Sequence, residues 1–189
     1  MSKVSTLIVL LCNVHVLASE EARSNISLTK RDNRIHSKSM VCTACLACSF
    51  KETYEPVCMK QNLELKLHLS EESYPAMLTD KDRLFQILCV FMDNAIQHSK
   101  NNSLIEIEVI ATEKNIAFSV ADHGQGISDE DKQYIFDRFY SGDKSHTNKS
   151  NFGLGLSIAK ELTQMLNGTI TINDTAGGGA TFTVKFPLK

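Results

Sequence analysis

Val120-Ala121-Asp122-His123-Gly124-Gln125-Gly126-Ile127 and Gly153-Leu154-Gly155-Leu156-Ser157-Ile158-Ala159 are two glycine-hinged stretches, and Met92-Asp93-Asn94-Ala95-Ile96 lies upstream of both. The alternating run from Ile116 to Val120 reads as a strand that enters a D-x-G-x-G turn at Asp122. Glycines in that turn permit positive φ and let a ligand approach the backbone closely. The Asp122 carboxylate, at the base of the turn, suits an exocyclic amino donor of the kind adenine carries. The second stretch leads into Leu154, Leu156, Ile158, Ala159, Leu162, Met165 and Leu166, which are helically spaced. A glycine-rich approach to a helix bares N–H groups and the positive end of the dipole, which suits phosphate. Asn94 falls on a third element with apolar residues at Leu84, Ile87, Leu88, Phe91 and Ala95, again helical. Its amide oxygen is the hard donor that Mg²⁺ accepts beside retained waters. Taken singly, each feature is also a tight turn, a helix start or a solvated amide. Their order and spacing in one short domain favour a nucleotide site.

Residues from about 60 to 189 resemble the ATP-binding catalytic domain of bacterial sensor histidine kinases. Asp82-Arg83-Leu84-Phe85-Gln86-Ile87-Leu88 through Asp93-Asn94-Ala95-Ile96 is similar to that family's N box. Asp122 to Ile127 resembles the G1 box, and Ile135-Phe136-Asp137-Arg138-Phe139-Tyr140 the F box. Gly153 to Ile158 resembles the G2 box. Gly177-Gly178-Gly179-Ala180-Thr181-Phe182, followed by Phe186-Pro187, resembles the glycine turn of the closing strand pair. Motifs in this order are far more specific than a single pattern.

The resemblance implies a Bergerat-type fold shared with gyrase-type and chaperone-type ATPases, with ATP and Mg²⁺ as ligands. It implies that Asn94 holds Mg²⁺ and that Asp122 reads the adenine amino group. It assigns Gln97, His98, Gly124, Gly126, Ile127, Tyr140, Gly153, Leu154, Gly155, Leu156 and Thr181 to the nucleotide surround. Residues 141–152 become a lid, from which Lys144 reaches phosphate as a point charge. Lys149 reads instead as an ordinary solvated lysine. The reaction implied is transfer of the γ-phosphate to a histidine on a dimerisation domain, with a response regulator downstream.

Three positions depart from the family pattern. Val90 stands where an Asn or acidic residue is frequent. Gln97, followed by His98, stands where Lys, followed by Tyr, is frequent, and Ser141 where Arg is frequent. Each removes a polar or cationic contact to Mg²⁺ or phosphate, on which phosphoryl transfer depends. They motivate the alternative of a degenerate nucleotide-binding or docking module that regulates a partner. A hydrolysing relative would need an acidic base near position 90, and Val90 opposes it. A serine kinase of the anti-sigma type is a further alternative, but the F box and extended lid favour the histidine kinases.

No acceptor histidine is legible. His15, His36, His68, His98, His123 and His146 all lack the expected following acidic residue, so the acceptor is expected from another chain or another part of the protein. Residues 1–23 read as the end of a dimerisation helix, with a secretory signal as the competing reading. Residues 24–34 read as a linker, and 35–189 as the catalytic domain. A net charge of −2 argues against bulk nucleic-acid binding. The expected location is cytoplasmic, without membrane contact by this domain itself, within a parent kinase that is membrane-anchored.

Cys42, Cys45 and Cys48 form C-x-x-C-x-x-C on an expected helix over 38–55 stopped by Pro56. The expectation is a buried stripe facing a sheet. An iron–sulfur set is the weaker alternative, because Cys58 is too far on and no Pro follows it. With Cys12 and Cys89 on apolar helical stretches, the six cysteines read as reduced thiols. The fold expected is a two-layer α/β sandwich with a mixed, largely antiparallel sheet. Its strands are expected over 64–69, 103–112, 115–122, 169–174 and 179–186, and its further helices over 81–99 and 155–166.

Overall fold

Alternation of apolar and polar side chains fixes the sheet, and 3.6-residue periodicity fixes the helices laid on one of its faces. The computed structural model describes residues 38–69, 74–140 and 153–188. In chain order the elements are β1 Ser39–Cys42, α1 Thr43–Lys60, β2 Glu64–Leu69, β3 Ala76–Thr79, α2 Lys81–His98, β4 Leu104–Ala111 and β5 Asn115–Asp122. They continue with α3 Asp129–Lys132, α4 Gly155–Met165, β6 Thr169–Asp174 and β7 Ala180–Pro187. The main sheet runs β2-β4-β5-β7-β6. Its β2–β4 pair is parallel and the others antiparallel. The two-layer, mixed and largely antiparallel arrangement expected from the sequence is therefore present.

Ile105, Ile107 and Val109 of β4, Ile116, Phe118 and Val120 of β5, and Phe182, Val184 and Phe186 of β7 are all buried. They meet Leu84, Ile87, Leu88, Phe91, Met92 and Ala95 of α2, also buried. Each such side chain contributes about 1.5–3 kcal/mol on leaving water. Phe182 lies at the centre: its ring is 5.4 Å from Phe91 and 6.4 Å from Phe136. The start of α2 is fixed by Asp80, whose carboxylate accepts from the N–H groups of Asp82 and Arg83, both at 3.1 Å. That cap satisfies two of the donors that a helix start leaves open.

Several boundaries differ from expectation. Residues 39–42 are not helical: β1 pairs with β3, matching Val41 to Met77 and Met40 to Leu78. Pro56 does not stop α1, which reaches Lys60. The missing proline N–H costs one ladder bond, but Cys58 beyond it is buried. The cysteine stripe is also corrected, because Cys42, Cys45 and Cys48 are exposed. The buried face of α1 is Thr43, Leu46, Ala47, Phe50 and Cys58. Leu46 and Phe50 carry more apolar area than cysteine, so they set which face turns to the core. The dimerisation-helix and linker segments expected over 1–23 and 24–34, with Cys12, His15 and His36, lie outside the described residues.

Candidate functional site

Val90, Asn94 and His98 follow one another at every fourth position of α2, about 6 Å apart along its axis. This row touches both glycine motifs. A β-carbon on Gly155, the first residue of α4, would lie 3.4 Å from Val90 Cγ1. A β-carbon on Gly124 would lie 2.2 Å from the carbonyl oxygen of His98. Asn94 stands between them. Its Nδ2 donates to the Val90 carbonyl at 2.6 Å, so Oδ1 is the atom left to accept a cation. Helix packing thus brings Asn94, Gly124 and Gly155 together, although they are far apart in sequence.

Asp122 closes β5 and is 3% exposed. Its Oδ1 accepts from the Gly124 N–H at 2.8 Å, leaving Oδ2 as the further acceptor. The turn after it is wedged against the 175–179 turn. Gly126 has φ +73°, and Gly179 has φ +110°. A β-carbon on Gly179 would stand 1.9 Å from the Asp122 carbonyl oxygen, which admits no side chain. The glycine turn before β7 therefore supports the Asp122 turn from behind.

Tyr140 and Gly153 flank residues 141–152, and their backbones touch. The Phe139 N–H donates to the Gly153 carbonyl at 3.1 Å. Gly153 has φ +64°, with space for no β-carbon beside the Tyr140 carbonyl. Arg138 pairs with Glu161 of α4. The Tyr140 hydroxyl donates to Asp131, and that bond, with desolvation, pushes the phenol up to about 12. At the start of α4, Leu154 provides no side-chain cap. The first-turn N–H groups therefore have no capping oxygen from that residue.

The remaining expected residues divide. Gln97 and His98 are exposed at the end of α2, while Ile127, Leu154 and Leu156 are half-buried beside the turns. Thr181 is a correction. It pairs with Ala121, so it lies on the sheet face opposite to that of Asp122. Its hydroxyl meets Thr175 Oγ1 at 2.8 Å. Ala180, buried, takes the helix-facing position instead. Lys144 and Lys149, with the rest of the expected lid, lie outside the described residues, as do Ser141 and His146.

One group was missed by sequence reasoning. Glu106 of β4 receives His123 Nε2 on Oε2 and His68 Nε2 on Oε1, each at 3.0 Å. The bond from His123, with that from His68, holds the Glu106 carboxyl below its ordinary value despite some desolvation. His123 is therefore tied to the open face of the sheet, which anchors the Asp122 turn. Alternation places Glu106 and His123 on that face, but only the strand register brings them together.

Among the described residues no cluster of three or more His, Cys, Asp or Glu side chains is set to hold a metal ion. Asn94 Oδ1 is a hard oxygen donor of the kind that Mg²⁺ accepts beside retained waters. Among the described residues no helix is long and apolar enough to cross a membrane.

Residues 79–189 match the family described as histidine kinase-, DNA gyrase B-, and HSP90-like ATPase. Sensor protein CiaH of Streptococcus pneumoniae serotype 4 is 34% identical over 168 residues, covering 88% of this chain and 37% of the relative. Signal transduction histidine-protein kinase ArlS of Staphylococcus haemolyticus is 37% identical over 124 residues, covering 65% of this chain and 27% of the relative. The chain thus spans well under half the length of these relatives. Among solved structures, full-length ShkA in complex with AMPPNP superposes with a TM-score of 0.70 at 27% identity, covering 80% of this chain and 31% of that one.

Proposed function

The chain belongs to the histidine kinase-, DNA gyrase B-, and HSP90-like ATPase family, and from that premise we propose that residues 35–189 bind ATP with Mg²⁺ and donate its γ-phosphate to a histidine on a dimerisation domain. The observation that carries the proposal is the α2 row. Asn94 presents one oxygen on a helix row that packs against Gly155 at Val90 and against Gly124 at His98.

Each residue has a separable task. Asp122 Oδ2 accepts from the adenine amino group, while Oδ1 stays bonded to the Gly124 N–H. Asn94 Oδ1 holds Mg²⁺, which when bound neutralises charge on the phosphate oxygens. The first-turn N–H groups of α4, which Leu154 does not cap, face phosphate, favoured by the helix dipole. Lys144 adds a cation from the lid. The acceptor imidazole attacks the γ-phosphorus and ADP leaves, so this domain needs no nucleophile of its own. Val90 supports transfer over hydrolysis, because its apolar side chain offers no base to activate water beside Gly155.

In the full protein, the partners are the dimerisation domain and a response regulator, and the setting is cytoplasmic. The test supplies a histidine-containing dimerisation domain in trans with labelled ATP. Labelled phosphate on its histidine, lost in Asn94→Ala, supports the proposal. ATP binding without transfer to any such domain favours the docking-module reading, for which Val90, Gln97 and Ser141 are the motive.

A further inference from the structure

Away from the nucleotide site, Cys42 and Cys45 place their sulfurs 2.6 Å apart. Both residues are exposed, and both are free thiols. A disulfide requires an S–S separation of about 2.05 Å, so little movement separates the pair from a bond. The cause is local. Cys42 is the N-cap of α1, with extended backbone at φ −68° and ψ 110°. That conformation swings its side chain over the helix end. Its Sγ accepts from the Cys45 N–H at 3.4 Å. Cys48 has helical backbone and lacks this swing.

We propose that Cys42 and Cys45 form a redox-active dithiol that is oxidised by low-molecular-weight disulfides, with Cys42 as the attacking sulfur and Cys45 as the resolving one. Three features support the assignment of roles. The first turn of α1 contains no acidic residue to oppose the helix dipole, and a thiolate at a helix N-terminus is stabilised. The thiol and N–H of Cys45 hold Cys42 below its ordinary value. The same contact raises Cys45, which keeps its proton until the second step. A cleft of about 240 Å³ opens beside both sulfurs, and Lys81 is its charged lining residue. That cation suits a carboxylate-bearing disulfide such as oxidised glutathione.

The steps balance. The Cys42 thiolate attacks one sulfur of the disulfide RSSR, forming a mixed disulfide and releasing RS⁻. Cys45 then loses its proton and attacks Cys42 Sγ, forming the intramolecular bond and releasing the second RS⁻. The protein dithiol is oxidised by two electrons, and one RSSR is reduced to two RSH.

The experiment exposes the reduced full chain to graded ratios of oxidised to reduced glutathione, traps free thiols by alkylation, and fragments the 39–51 tryptic peptide in a mass spectrometer. The expected product is a Cys42–Cys45 disulfide with Cys48 alkylated. Cys45→Ser should trap glutathione on Cys42. Cys42→Ser should leave Cys45 reacting several-fold more slowly than Cys42 does in the Cys45→Ser chain. Both positions are exposed, so far-UV circular dichroism should be unchanged in either variant. Equal glutathione uptake at positions 42, 45 and 48, or cross-links to Cys48 as frequent as those between Cys42 and Cys45, would overturn the proposal.

Discussion

Gly124 lies against the last carbonyl of the helix that bears Asn94: a β-carbon at 124 would stand 2.2 Å from the His98 oxygen and 2.9 Å from its carbon. This contact couples the turn that holds Asp122 to α2. The proposed adenine acceptor and the proposed Mg²⁺ ligand are therefore set by one packing arrangement.

Gly124→Ala should break that coupling. The obstacle is backbone, which cannot rotate away, and overpacking of this kind costs about 1–3 kcal/mol. Urea unfolding should show the lower stability, and titration should show weaker nucleotide binding in the fraction that remains folded.

Gly177 and Gly179, two of the three glycines of the turn before β7, should differ sharply when replaced by alanine. At Gly179 the new β-carbon meets the Asp122 oxygen at 1.9 Å, whereas at Gly177 nothing lies within 4 Å. Gly177 still has φ +86°, so Gly177→Ala should cost about 1–2 kcal/mol from backbone strain alone. Gly179→Ala should cost more and should disturb the Asp122 turn. Thermal unfolding of the two variants side by side checks the order.

Phe182 joins the sheet to Phe91 of α2 and to Phe136 near the Tyr140–Gly153 contact. Phe182→Ala should destabilise the fold by about 3–5 kcal/mol. Phe182→Leu should cost much less. Denaturant midpoints measure both.

Glu106 yields a pH dependence with a definite sign. Its carboxyl lies below the ordinary value of 4.5, with the His123 bond the largest cause. A carboxyl depressed on folding contributes stability above its unfolded value and loses it as pH falls through the folded one. Glu106→Gln should therefore flatten stability against pH below about 4.5. Equal slopes for both chains in acid unfolding curves would show that the bridge to His68 and His123 contributes nothing.

Much of this was legible in the sequence, and the failures have physical causes. The bounds of β2, β5 and β6 agree with those expected, because alternation and flanking turn residues both mark them. Motif order singles out Asp122, Asn94 and the paired glycines, but the packing of Gly124 on His98 and of Gly155 on Val90 could not be read from it. The β1–β3 ribbon was not, since four-residue strands carry too little periodicity and gain their identity from pairing. Thr181 was placed by motif rather than by parity. The alternation of Ala180, Phe182, Val184 and Phe186 with Thr181, Thr183 and Lys185 already separates the two faces. The cysteine stripe failed because periodicity gives a helix its faces but not the choice between them. Leu46 and Phe50 made that choice.

The most direct test of the central claim is calorimetric titration of the chain with a non-hydrolysable ATP analogue, with and without Mg²⁺, beside Asp122→Asn and Asn94→Ala. Mg²⁺-dependent binding is expected, abolished in Asp122→Asn and stripped of its Mg²⁺ dependence in Asn94→Ala. Binding that is unchanged in both variants, or absent from the parent chain, would contradict it.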